Sequence, residues 1–79
     1  MPTQKEIEEE RRKLRYLRMI VDLTTALLYQ ENLSINEALE LMAATKRQVL
    51  ALFPDKEEAY DLIYKPRFER IIKERLKSN

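Results

Sequence analysis

Not one of the 79 residues is glycine. Glycine normally supplies left-handed turns at helix ends, and loops in which a phosphate can approach the main chain. Its absence excludes a phosphate-cradling loop and a dinucleotide-binding fingerprint. With only 3 prolines, and with Leu, Glu, Lys and Arg abundant, the chain reads as all-α.

Other missing residue types narrow the chemistry. There is no Cys, His or Trp. That removes zinc fingers, cysteine nucleophiles, Ser-His-Asp triads, disulfide frameworks and the usual haem ligation. Acid–base work would fall to Asp, Glu, Lys or Tyr, and no pair of these stands apart from the surface pattern. Glu37 with Glu40, and Glu57 and Glu58 with Asp61, are the groupings to weigh as ligands for a hard cation. At helical spacing they read as solvated surface. The expectation is a protein that is not an enzyme and holds no cofactor or metal.

No apolar run reaches 18 residues, so no membrane-spanning helix is expected. Met1–Glu6 lacks the apolar core of a signal peptide, and a cytoplasmic protein is expected. The length accommodates one helical domain over 1–79. Apolar residues make up 44%, in a periodic pattern that intrinsic disorder does not show.

Three helix starts are legible. Thr3 with Glu6, and Ser34 with Glu37, fit capping boxes; Asp55 with Glu58 is a close variant preceded by Pro54. Asn32 is the best candidate for a left-handed turn after the first helix. Pro66 has no N–H and biases Lys65 away from helical geometry, which predicts a break or kink near 64–66. The resulting map is a bundle of three to four helices at about 4–30, 35–52, 56–64 and 66–77.

The first helix carries most of the information. Ile7, Leu14, Leu17, Val21 and Leu28 line one stripe at heptad spacing. From Tyr16 onward a second stripe appears, made of Tyr16, Met19, Ile20, Leu23 and Leu27. Arg11, Arg15, Arg18, Asp22 and Thr25 form the narrow polar edge, where Arg18–Asp22 pairing is expected, as are Glu8–Arg12 and Glu9–Lys13. A helix that is apolar on two faces needs two sets of neighbours. At 27 residues it would be roughly 40 Å long, against a diameter of about 30 Å for a compact chain of this size. A homodimer along this helix would supply the second neighbour. The expected interface residues are Leu14, Leu17, Ile20, Val21, Leu23, Leu27 and Leu28.

In the second helix Ile35, Ala38, Leu39, Met42, Val49, Leu52 and Phe53 mark an inner side, with Leu41 and Leu50 off that stripe. Ala59, Leu62 and Ile63 give the short helix its apolar side. Phe68, Ile71, Ile72 and Leu76 do so for the last one. Tyr16, Tyr29, Tyr60 and Tyr64 are expected as core or interface anchors rather than stacking platforms.

Charge is uneven along the chain. Residues 5–18 hold six basic and four acidic groups, 31–61 three basic and seven acidic, and 65–77 six basic and two acidic. Basic ends thus flank an acidic middle. The simplest account is that they fold back on it, or pair with it in another subunit. A nucleic-acid partner is the alternative. On that reading residues 34–53 form a degenerate helix-turn-helix in which Thr45 caps a second helix carrying Lys46 and Arg47. Arg67, Arg70, Lys73 and Lys77 would then meet phosphates. The turn would have to be Met42-Ala43-Ala44, strong helix formers, so one continuous helix is the simpler expectation. The favoured functional reading is a non-enzymatic protein–protein interaction or regulatory module that self-associates through its first helix.

Overall fold

The N-terminal donors of a helix must find acceptors, and two of the expected caps supply them. Thr3 accepts from the Glu6 N–H through its Oγ1 at 3.2 Å. Ser34 forms the full reciprocal box: its Oγ accepts from the Glu37 N–H at 3.1 Å, and the Glu37 carboxylate accepts from the Ser34 N–H at 3.1 Å. A computed structural model describes residues 1–30 and 32–77, and these caps open its first two helices. They are α1 (Gln4–Leu28) and α2 (Ile35–Leu52); a third, α3, spans Glu57–Lys77. No strand is present among the described residues.

Three boundaries differ from the sequence expectation. Asp55 falls in a turn, and α3 begins two residues later, with the Lys56 carbonyl accepting from the Tyr60 N–H at 2.9 Å. No described residue has positive φ, so Asn32 does not provide a left-handed stop. Instead α1 unwinds through i→i+3 bonds, from Tyr29 N–H to the Ala26 carbonyl and from Gln30 N–H to the Leu27 carbonyl. Finally, α3 is one helix, not two: it runs through Pro66 without a break. Proline removes one bond from the helical ladder, to the carbonyl four residues back. Here that carbonyl belongs to Leu62. Both Leu62 and Pro66 lie on the exposed side of α3, where solvent is available to the carbonyl that loses its ladder partner.

The helices share one core. Ile20, Val21 and Leu28 of α1 meet Ala38 and Val49 of α2 and Tyr60, Phe68, Ile71 and Ile72 of α3. Phe68 and Leu28 are the largest side chains fully removed from solvent. Each such burial stabilises the fold by about 1.5–3 kcal/mol. The charged groups at the two ends of α3 show its direction. Lys46, late in α2, reaches Asp61 at 3.0 Å and Glu57 at 3.5 Å near the start of α3. At the other end the Arg75 guanidinium donates to the Leu33 carbonyl, just before α2. Helices α2 and α3 are therefore antiparallel, and the basic C-terminal segment folds back on the acidic start of α2. The basic N-terminal segment does not.

It projects instead. A 25-residue α1 is about 37 Å long at 1.5 Å per residue. The molecule measures 52 × 21 × 16 Å, with a radius of gyration of 14.6 Å. A compact chain of this length would have about 12 Å. Residues 1–16 are all exposed, and the first buried side chain of α1 is Ile20. Lys13 marks where the helix leaves the bundle, its Nζ standing 6.0 Å from the centre of the Phe53 ring.

Candidate interaction face

The two apolar stripes of α1 have different fates. Val21 and Leu28, with Leu17 half-buried beside them, pack into the subunit's own core. So does Ile20, from the second stripe. Leu27 is half-buried, and the other three of that stripe stay outside: Tyr16 is 47% exposed, Met19 54% and Leu23 58%. Of the seven expected interface residues, Ile20, Val21 and Leu28 are thus enclosed by α2 and α3. They are core residues, and sequence periodicity could not separate them from the outer set. Leu17 and Leu27 are half-buried, and Leu14 and Leu23 exposed. Met19 and Tyr16 join the outer face.

The outer stripe borders a groove. Tyr16, Met19, Ile20, Leu23, Thr24 and Leu27 of α1 line one wall; Leu41, Ala44, Thr45 and Gln48 of α2 line the other. The groove holds about 260 Å³ and is mainly apolar. At its floor the Thr24 and Thr45 hydroxyls meet at 2.8 Å, both side chains buried. Thr45 Oγ1 also donates to the Leu41 carbonyl at 2.9 Å, so the proton between the two threonines comes from Thr24. This arrangement corrects the helix-turn-helix reading. Thr45 caps nothing; it sits in the middle of an unbroken α2 and back-bonds to the preceding turn.

The remaining candidate cations are dispersed. Lys46 is held by Asp61 and Glu57 on α3. The hydrogen bond to Asp61, with the charges of both carboxylates, keeps its ammonium pKa above the ordinary lysine value. Arg67 lies 5.7 Å from the centre of the Tyr64 ring and stacks on it. Arg47, Arg70, Lys73 and Lys77 are exposed. The α3 cations share their helix with Glu69 and Glu74, and Arg47 is on α2.

A second cleft, of about 310 Å³, runs between α1 and α3 past Leu14, Leu17, Arg18, Val21, Asp22, Tyr64 and Arg67. Arg18 and Asp22 line it without forming the expected ion pair, and Glu8–Arg12 and Glu9–Lys13 are likewise open among the described residues.

No family model, curated protein or solved structure matches this chain.

No described helix is long and apolar enough to cross a membrane. Among the tyrosines, Tyr60 is core, Tyr64 is half-buried 5.8 Å from it, and Tyr16 and Tyr29 are exposed. Tyr16, Met19, Leu23 and Ala26 share heptad spacing, but only the packing of α2 and α3 on the other side of α1 shows that this stripe is the outer one.

Proposed function

We propose that this chain is a non-enzymatic helical interaction module that self-associates through the outer face of α1. One observation carries the reading: Tyr16, Met19 and Leu23 are about half exposed at coiled-coil spacing, although the subunit already has a closed core. Contiguous apolar patches of this kind on small proteins mark interaction sites. The projecting first half of α1 supports the same reading. Ile7 and Leu14 on it are 39% and 51% exposed, Leu14 at the open end of the α1–α3 cleft.

Sedimentation equilibrium tests it. A specific dimer is expected at about 100 μM, well above a micromolar dissociation constant. The double substitution Met19→Glu and Leu23→Glu, at positions outside the core, should leave the helix content intact and abolish association. A wild-type chain that sediments as a monomer at that concentration overturns the proposal, as does an unimpaired dimer of the variant.

A further inference from the structure

The outer seam of α1 has an internal symmetry. Glu9, Arg12, Tyr16, Met19, Leu23 and Ala26 are all exposed, and they alternate in steps of three and four. The series is symmetric about the midpoint between Leu17 and Arg18. In a second copy laid antiparallel about that point, Tyr16 would meet the partner's Met19, Arg12 the partner's Leu23, and Glu9 the partner's Ala26. In a parallel pair each layer would instead meet its own copy, setting Glu9 on Glu9 and Arg12 on Arg12.

Charge separates these two arrangements. Arg15 and Asp22 flank the seam on the same side, seven residues apart, and neither makes an ion pair among the described residues. In antiparallel helices such flanking positions face each other across the seam. Arg15 then lies opposite the partner's Asp22, and the two-fold axis repeats the contact. Arg12 lays its aliphatic stem over the partner's Leu23 and keeps its guanidinium in water. On the other side of the seam lies the α1–α2 groove, into which the partner helix can settle. The overlap also matches the molecule's shape. The projecting half of each α1 covers the outer stripe of the other copy, and the two bundles stand at opposite ends.

From this we infer that the occupant of the outer face is a second copy of this chain, with the two α1 helices antiparallel and centred between Leu17 and Arg18. The inference rests on the self-association proposed above and gives it a register.

Disulfide trapping reads that register directly, because the chain has no cysteine of its own. Full-length Glu9→Cys and Ala26→Cys chains are prepared separately, and each is oxidised alone and as a mixture. Residues 9 and 26 of opposite chains share a layer in the antiparallel pair. Two copies of either position stand about 25 Å apart along the axis, far beyond the roughly 7 Å between Cα atoms that a disulfide spans. The expected result is a cross-link in the mixture and none in either chain alone. Cross-linking of Glu9→Cys with itself would show a parallel pair and overturn the register, while leaving self-association standing. A dimer that cross-links in no combination would overturn the register as well. A monomer by sedimentation would overturn both readings. As an independent check, Arg15→Glu should weaken the dimer roughly tenfold, and Arg15→Glu with Asp22→Arg should restore it. Unchanged affinity in Arg15→Glu would refute the pairing.

Discussion

The hydroxyls of Thr24 and Thr45 meet at 2.8 Å between α1 and α2, 21 residues apart in sequence. Each proton has one destination: Thr24 donates to Thr45, and Thr45 donates to the Leu41 carbonyl. A buried polar pair of this kind is satisfied only as a pair. Thr45→Val removes the acceptor and strands a buried donor, at a cost of about 1–3 kcal/mol. The double change Thr24→Val with Thr45→Val replaces both by apolar groups of the same shape and should be nearly neutral. Urea unfolding of the two single variants and the double variant checks this. Additive destabilisation would mean that the two hydroxyls are not coupled.

Phe68 is fully enclosed, while Leu62 on the same helix is 72% exposed. Phe68→Ala should cost about 3–5 kcal/mol, enough to leave a marginal domain of this size largely unfolded. Leu62→Ala should shift stability by no more than about 0.5 kcal/mol. Circular dichroism melts of the two variants separate these outcomes.

Pro66 interrupts the ladder of a continuous α3. Its replacement by Ala restores an N–H for the Leu62 carbonyl and removes the proline penalty, which is about 3 kcal/mol in an ordinary helix interior. Pro66→Ala should therefore raise the melting temperature. At about 4–8 °C per kcal/mol for a domain of this size, scanning calorimetry resolves even a third of that gain.

Acid acts on the α2 cap. The backbone N–H of Ser34, and then its hydroxyl, hold the Glu37 carboxyl below its ordinary value of 4.5. A depressed carboxyl pKa means that the unfolded state binds the proton first. The stabilisation is therefore complete above the unfolded value and disappears as pH falls through the folded one. Ser34→Ala should cost about 0.5–2 kcal/mol at neutral pH. Its deficit against the wild type should narrow in acid, once Glu37 is protonated in both chains. A deficit independent of pH would show that the Ser34 hydroxyl takes no part in lowering the Glu37 pKa, since the variant keeps the backbone N–H.

Alkali acts on Tyr60. Burial, followed by the negative charge of Asp61, pushes its phenol up to about 12 from 10.0. The proton leaves the unfolded chain first, so this contribution is present below pH 10 and is lost as pH rises towards 12. Lys46 acts in the same direction, since its raised pKa also favours the folded state only while the ammonium is charged. Ultraviolet titration should show one tyrosine ionising late, together with unfolding. Asp61→Asn should bring that step down without returning it to the ordinary range, because burial is the larger cause. The Tyr60 hydroxyl is enclosed and meets no partner among the described residues, so Tyr60→Phe should remove the late step at little cost to stability.

What the amino-acid order determined by itself is local. Thr3 and Ser34 mark helix starts because an N-cap bond spans three residues. Ala38 and Val49 on the core side of α2 follow from 3.6-residue periodicity, although the same pattern put Leu39 inside, where it is 52% exposed, and left out Leu41, which packs against the core. The all-α class follows from composition. Tertiary structure alone decided which stripe of α1 is enclosed. Val21 and Leu28 are apolar like Leu23; what separates them is that Val49, Phe68 and Ile72, 21 to 51 positions further on, pack against one side of the helix. The same distance in sequence hid the Lys46–Asp61 bridge, and it hid the solvent-facing position that lets α3 carry Pro66. Backbone hydrogen bonds join near neighbours and can be read from a short window. Burial depends on where distant segments come to rest, and no window on α1 contains that information.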